Sequence, residues 1–255
     1  MIDHTNLMSF ATKKEISKLC REAIDHGFAA VCVNTSYVSY CDDLLKNSDV
    51  EVAAVVGFPL GVCTSKSKSY ETHEAVKLGA TEIDMVMNVG LFRDEDYSAV
   101  INDIETVVKA ADGASVKVIL ETGYLTDEQI VKACKISQSA GAHFVKTSTG
   151  FGPMGAFIDH VSIMRKTIGT DMGLKAAGGI RNAKTAVRLI NAGANRLGAS
   201  AGIAIIDSLA KTIEQGEWFD STSDKPEEIY SWGAADPKKQ PKDIFEYYNE
   251  KGKKF

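Results

Sequence analysis

Short apolar runs alternate with longer amphipathic segments along most of this chain. The apolar runs predict eight buried strands, at residues 2–5, 29–34, 51–58, 82–88, 115–121, 143–149, 173–178 and 196–200. The segments between them repeat apolar residues at helical spacing. They predict helices that include residues 12–26, 67–78, 94–111, 126–140, 156–168 and 182–192.

Residues typical of helix ends support these assignments. Thr12 stands three residues before Glu15, the spacing of a capping box, and Thr126 precedes two acidic residues of a first turn. A glycine follows a helical segment and precedes a strand four times, at Gly27, Gly79, Gly141 and Gly193. This recurrence predicts a repeated strand–helix unit.

Strands that alternate with helices pair in parallel, because each crossover connection needs room for a helix. Eight such units favour a closed (β/α)₈ TIM barrel, with an open doubly wound sheet as the alternative. We therefore predict a single-domain α/β barrel over residues 1–215. Residues 216–255, which hold both tryptophans and three of the five prolines, are predicted to form a C-terminal extension packed on or trailing from the barrel, with a short helix at 242–249.

Composition excludes several classes of function. Hydrophobic residues make up 44% of the chain and its net charge is −5, a balance that gives no support to nucleic-acid binding. The five cysteines form no CxxC pair and no two histidines lie four residues apart, so we expect reduced thiols and no metal site. No signal peptide or membrane span is predicted, and we expect a soluble cytoplasmic protein.

Two lysines, Lys146 and Lys175, lie inside apolar strand-like runs, where a lysine is costly unless it is paired or used. An amine held partly neutral by a neighbouring cation can attack a carbonyl carbon and form a Schiff base. Asp3, Asp84 and Lys117 also lie within predicted strands. The arrangement that compensates these charges places all five in the barrel mouth, with Asp84 suited to proton transfer.

Small, flexible turns follow the later strands. Gly150 ends KTSTG, Gly178 and Gly179 end KAAGG, and Ser200 ends RLGAS. Backbone N–H groups in such turns can approach a phosphate, and barrels often bind phosphate after strands seven and eight. We therefore expect an anionic substrate.

Six motifs carry a resemblance to a known family: IDHT, EIDMVMNVG, KVILETG, KTSTGFG, KAAGGIR and LGASAG, in this order between residue 2 and about residue 210. With these motifs the chain resembles the 2-deoxyribose-5-phosphate aldolases, which are class I (Schiff-base) aldolases. The resemblance implies reversible cleavage of 2-deoxy-D-ribose 5-phosphate to D-glyceraldehyde 3-phosphate and acetaldehyde, without a metal or organic cofactor, by a homodimer.

The resemblance also implies roles for individual residues. Lys146 would be the Schiff-base lysine, Lys175 the cation that favours its neutral form, and Asp84 the proton-transfer acid/base. The implied substrate pocket contains Asp3, Thr5 and Lys117. The implied phosphate site contains Gly150, Gly178, Gly179, Gly198 and Ser200.

The chain departs from the family pattern in three places. It begins almost directly at the first strand, Ala201 stands where some members have a second serine, and the C-terminal extension is long. Tyr247 and Tyr248 are candidates for a C-terminal tyrosine that some members bring near the site. Two alternatives remain open at this point: a phosphosugar isomerase with Asp84 or Glu121 as its base, and a phosphate-binding protein without catalytic activity.

Overall fold

Eight parallel strands close into a barrel in the computed structural model, which describes residues 1–214. The strands are β1 (Ile2–Asn6), β2 (Ala30–Val33), β3 (Glu51–Val56), β4 (Glu82–Val86), β5 (Ser115–Ile119), β6 (Phe144–Lys146), β7 (Gly173–Ala177) and β8 (Arg196–Ala199). They follow one another around the barrel in chain order, and β8 pairs with β1. The predicted (β/α)₈ barrel is confirmed, and the open sheet is excluded because no edge remains between β1 and β8.

Helices cover the outside of the barrel. In the described residues they are α1 (Lys13–Asp25), α2 (Val38–Leu45), α3 (Ser65–Lys77), α4 (Val89–Arg93), α5 (Tyr97–Ala110), α6 (Asp127–Ser139), α7 (Ile158–Ile168), α8 (Ala183–Asn191) and α9 (Gly202–Glu214). The sequence pattern did not predict α2, α4 and α9. The first two are short and α2 begins without a side-chain cap, whereas α9 opens with consecutive apolar residues instead of a helical alternation.

The predicted helix ends are present. Thr12 and Glu15 form a capping box, in which the Thr12 N–H donates to Glu15 Oε2 at 2.7 Å. The four glycines predicted to end helices all have positive φ, from 59° at Gly27 to 118° at Gly193. These residues turn each helix back toward its next strand.

Seven of the eight predicted strands extend too far at their C-terminal ends. β5 ends at Ile119 and β6 at Lys146, whereas the apolar pattern continues to residues 121 and 149. Glu121 adopts a left-handed conformation with φ of 53°, and the Thr149 N–H donates to the Glu121 carboxylate. The segments after the strands therefore leave the sheet and form the upper rim of the barrel.

Two apolar clusters fill the fold. The larger one lies between the strands and the helices. The smaller one contains Ala30, Cys32, Ala53 and Val55, the alternate residues of β2 and β3 that point into the barrel, together with Leu7. The barrel interior is therefore apolar beside β2 and β3, and charged side chains from the other strands occupy the rest of it.

Parts of the sequence prediction fall on residues that the structure does not describe. The predicted helix at 242–249 and the candidates Tyr247 and Tyr248 lie outside the described residues. Across residues 1–214, the helices lack the combination of length and apolar character that crossing a bilayer requires.

Candidate active site

The carboxylate of Asp84 lies at the centre of a group of lysines inside the barrel. Asp84 Oδ2 accepts hydrogen bonds from Lys146 Nζ and Lys175 Nζ, each at 2.7 Å. Asp84 Oδ1 accepts one from Lys117 Nζ at 2.8 Å. Lys175 also forms an ion pair with Asp3, which is fully buried. Because Lys146 and Lys175 contact the same oxygen, their nitrogens lie no farther apart than twice that bond length.

The register of the barrel brings these side chains together. Asp84 is paired with Lys117 between β4 and β5, and Lys146 is paired with Lys175 between β6 and β7. Residues paired in this way point to the same face of a sheet, which here is the barrel interior. The structure thus assembles the five charged residues that the sequence analysis placed in the barrel mouth.

Two further charged residues complete the group, and the sequence analysis missed both. Glu82 accepts a hydrogen bond from Lys117 Nζ at 2.7 Å. Arg196 contacts Asp3 Oδ1 through Nη1 at 2.7 Å and Glu82 Oε1 through Nη2 at 3.1 Å. Each stands at the start of a strand, where a charged residue is ordinarily exposed. The available signal was parity, because Glu82 lies two residues before Asp84 and shares its face.

The charges of this group nearly cancel. Three carboxylates face four basic side chains, namely Asp3, Glu82 and Asp84 against Lys117, Lys146, Lys175 and Arg196. Buried ions are costly unless they are compensated, so an excess cation is the one that loses its proton most readily. The group is electrically neutral when one of the three lysines carries no charge.

Contacts and exposure distinguish Lys146 from the other two lysines. Within residues 1–214, Lys117 and Lys175 each contact two carboxylates, whereas Lys146 contacts Asp84 alone. The Lys146 side chain is also 3% exposed, compared with 0% for Lys117 and Lys175. Lys146 is therefore the amine with the fewest carboxylate contacts and the best placed of the three to meet a substrate.

The pKa values of its neighbours are strongly shifted. Burial alone would raise the pKa of Asp84, but the ammonium groups of Lys117, Lys146 and Lys175 hold it well below its usual value. Burial alone would lower the pKa of Lys175, but the carboxylates of Asp3 and Asp84 raise it well above its usual value. At neutral pH, Asp84 is a carboxylate and Lys175 an ammonium.

The glycine turns predicted to bind phosphate lie together on the rim. Gly150, Gly178 and Gly179 have φ values of 85°, 91° and 78°, which other residues adopt only with strain. A Cβ atom built on Gly150 would lie 3.9 Å from the Gly178 Cα, so the loops after β6 and β7 are in contact. Ser200 is exposed at the end of β8. This part of the rim offers backbone N–H groups and a hydroxyl.

Gly198, also predicted to bind phosphate, has a different position. It lies within β8, and a Cβ atom there would come within 2.9 Å of Lys175 Cε and 3.0 Å of Ala177 Cβ. The missing side chain makes room for Lys175. Thr5, predicted to line the substrate pocket, is half-buried and donates its hydroxyl to the backbone carbonyl of Asp3 at 2.9 Å.

A cavity of about 90 Å³ opens on the rim above the ends of β3 to β6. Its wall is mainly apolar and includes one carboxylate. The lining residues are Pro59, Leu60, Val86, Val89, Glu121, Tyr124, Thr149, Phe151 and Gly152. Over the described range, no group of three or more histidine, cysteine, aspartate or glutamate side chains is arranged to hold a metal ion.

Comparison with known proteins identifies close relatives. The model of the DeoC/LacD family aldolases matches residues 1–208. The deoxyribose-phosphate aldolase of Aciduliprofundum boonei is 54% identical over 210 residues, which cover 82% of this chain and 95% of the relative. That of Thermococcus kodakarensis is also 54% identical and covers 81% of this chain and 94% of its own.

Solved structures agree with these matches. A crystal structure described as a putative deoxyribose-phosphate aldolase from Coccidioides immitis superposes with a TM-score of 0.80 at 43% identity, covering 82% of this chain and 84% of that one. The deoxyribose phosphate aldolase of Aeropyrum pernix, described as a unique tetrameric structure, superposes with a TM-score of 0.78 at 34% identity. The match covers 82% of this chain and 89% of that one.

Proposed function

We propose a reaction and a set of residue roles from the premise that this chain belongs to the DeoC/LacD aldolase family. The chain is an aldolase, a lyase that breaks a carbon–carbon bond through a lysine Schiff base. Its reaction is the reversible cleavage of 2-deoxy-D-ribose 5-phosphate to D-glyceraldehyde 3-phosphate and acetaldehyde. The observation that carries the proposed roles is the single Asp84 oxygen shared by Lys146 and Lys175.

The reaction begins at Lys146. Its neutral amine adds to C1 of the open-chain aldehyde, and the adduct takes up one proton and loses water, which leaves a cationic Schiff base. When the C3 hydroxyl gives up its proton, the C2–C3 bond breaks and its electron pair moves to the Schiff-base nitrogen, forming an enamine. D-Glyceraldehyde 3-phosphate leaves. Protonation of the enamine at C2 and hydrolysis then release acetaldehyde and restore the amine.

The neighbouring residues serve these steps in different ways. Asp84, a carboxylate at neutral pH, accepts and returns protons, directly or through water. Lys175 remains positively charged and disfavours a second positive charge on Lys146. Lys117 holds the other oxygen of Asp84 and so fixes the orientation of the carboxylate. Asp3 and Thr5 line the base of the pocket.

The phosphate group is assigned to the rim after β6, β7 and β8. Gly150, Gly178 and Gly179 can turn backbone N–H groups toward an anion, and the Ser200 hydroxyl adds a donor. This rim adjoins the apolar cavity above β3 to β6, because Gly150 lies between the lining residues Thr149 and Phe151, and a phosphate favours the polar side.

Three finer points belong to the same proposal. We assign the active protein to the cytoplasm, which the free state of all five cysteines supports. We expect a homodimer, as the family resemblance implies. The aldolase domain is assigned to the first 215 residues, which the family match to residues 1–208 supports.

A cleavage assay tests the proposal. Lys146→Arg keeps a positive charge beside Asp84 but cannot supply a neutral amine, since arginine stays protonated. We expect kcat for 2-deoxy-D-ribose 5-phosphate to fall by at least about 10³-fold. Lys166→Arg, an exposed substitution on α7, is the matched control and should keep full activity. Activity retained in Lys146→Arg would contradict the assignment of the nucleophile.

A further inference from the structure

Glu121 is a buried carboxylate that the steps above do not use. It lies just beyond β5, its side chain is 4% exposed, and its backbone has φ of 53° and ψ of 61°. A glutamate adopts this left-handed conformation rarely, because its Cβ atom crowds the backbone. The surrounding contacts must therefore hold the residue in place.

The Glu121 side chain continues a ladder of backbone hydrogen bonds. Leu120 N–H donates to the Lys146 carbonyl at 2.9 Å, and Thr122 N–H donates to the Thr147 carbonyl at 3.0 Å. At the next step, the Glu121 carboxylate accepts from the Thr149 N–H, at 3.2 Å to Oε2, and from the Thr149 hydroxyl. The carboxylate thus substitutes for a backbone acceptor where the sheet ends.

Thr149, held by Glu121, in turn holds the next residues of the loop after β6. Its Oγ1 accepts a hydrogen bond from the Phe151 N–H at 3.0 Å. Gly152 packs so closely on Glu121 that an added Cβ would lie 2.6 Å from the Glu121 carboxyl carbon. Glu121, Thr149, Phe151 and Gly152 all line the rim cavity. One carboxylate therefore determines the course of the segment that begins immediately after Lys146.

We propose that Glu121 is a positioning residue for the Schiff-base reaction. By holding Thr149 it fixes residues 147–152, and with them the end of β6 that carries Lys146 and one wall of the adjacent cavity. The role is that of a hydrogen-bond acceptor and does not require the negative charge. This inference rests on the proposed function, because it assigns Lys146 as the reacting amine.

Two substitutions at this position separate hydrogen bonding from charge. Glu121→Ala removes the acceptor, whereas Glu121→Gln keeps an oxygen that can accept from both Thr149 donors. We expect kcat for 2-deoxy-D-ribose 5-phosphate cleavage to fall at least about tenfold in Glu121→Ala. In Glu121→Gln, kcat should stay within about threefold of the unmodified protein.

The control is a second glutamate that accepts a hydrogen bond from a threonine. Glu128 Oε2 accepts from the Thr126 hydroxyl at 3.0 Å, but Glu128 is exposed on α6 and does not line the rim cavity. Glu128→Gln should leave kcat and KM unchanged. If Glu121→Ala fails to fold, Thr149→Val and Thr149→Ser repeat the test from the other side, because only serine keeps the hydroxyl.

Hydrogen–deuterium exchange of residues 147–152 provides a readout that needs no substrate. The amides of Thr149 and Phe151 should exchange faster in Glu121→Ala and at the original rate in Glu121→Gln. The inference is overturned if Glu121→Ala keeps kcat within threefold, or if Glu121→Gln is as impaired as Glu121→Ala. The two proposals can fail separately. If the unmodified protein does not cleave the substrate while the two variants still differ in exchange as expected, the proposed function is contradicted and the anchoring of the loop by Glu121 is not.

Discussion

Lys146 and Lys175 are the same residue type at the same distance from one oxygen atom, yet their surroundings differ. Lys175 lies between Asp3 and Asp84, and these carboxylates keep it charged over the whole neutral range. Lys146 has Asp84 as its carboxylate contact within the described residues and is slightly exposed. One lysine is therefore suited to act as a fixed cation and the other to act as a nucleophile.

Replacing Lys175 tests this difference. In Lys175→Met, the positive charge that disfavours protonation of Lys146 is gone, and the carboxylates of Asp3 and Asp84 then favour the protonated form of the remaining amine. A higher pH is needed to free that amine. We expect the acid limb of the kcat/KM profile to move upward by more than about one pH unit. An unchanged profile would show that Lys175 does not influence Lys146, and Lys166→Met serves as the control.

The five charged residues predicted to meet in the barrel could be identified because each interrupts an apolar strand. The need to compensate their charges then placed all five together in the barrel mouth. Glu82 and Arg196 could not be found in the same way, since each stands at a strand start, where charge carries no cost. The left-handed conformation of Glu121 also could not be predicted from the sequence, because the contact with Thr149 that holds it joins residues 28 positions apart.

At the scale of elements, the ends of the strands were harder to predict from the sequence than their central residues. β6 has three residues, and the hydroxyl-rich segment after it resembles a strand in sequence while turning away to meet Glu121 and β7. The apolar pattern placed Gly198 inside the predicted strand at 196–200, and the structure places it inside β8 against Lys175. The sequence pattern located all eight strands and six of the nine α-helices of the described residues, and it misjudged several of their ends.

A methyl group at position 198 should disturb the site through β8. In Gly198→Ala the new Cβ would lie 2.9 Å from Lys175 Cε, so the Lys175 side chain or β8 must shift, and this disturbs the contacts of Lys175 with Asp3 and Asp84. We expect the free energy of unfolding to fall by about 1–3 kcal/mol and the pH profile to move in the direction of Lys175→Met. Chemical denaturation and kcat/KM measured against pH check both effects.

Gly90→Ala is the matched control for that substitution. The nearest atom to its added Cβ is Asn88 Oδ1, at 3.3 Å, and the glycine lies in α4, away from the lysines. It should leave the pH profile unchanged. A Gly198→Ala protein with normal stability and a normal profile would show that β8 has room for a side chain beside Lys175.

At the scale of the whole molecule, the barrel interior is divided. Small apolar residues of β2 and β3 fill one side, and the other side holds three carboxylates and four basic groups. Periodicity predicted the closed barrel, since eight strand–helix units leave few other arrangements. The balance of charges became visible only when the register showed which residues face one another. A nearly neutral set of buried ions lets one lysine be uncharged without leaving a carboxylate unpaired.

The central claim is that Lys146 forms the Schiff base, and reductive trapping measures this directly. The protein is incubated with acetaldehyde and a borohydride reductant, and the modified residue is identified by peptide mass spectrometry, with Lys146→Arg treated in parallel. The account predicts one added ethyl group per chain, located on Lys146 and absent from the variant. An unmodified protein, or an ethyl group that persists in Lys146→Arg at the same stoichiometry, would contradict it.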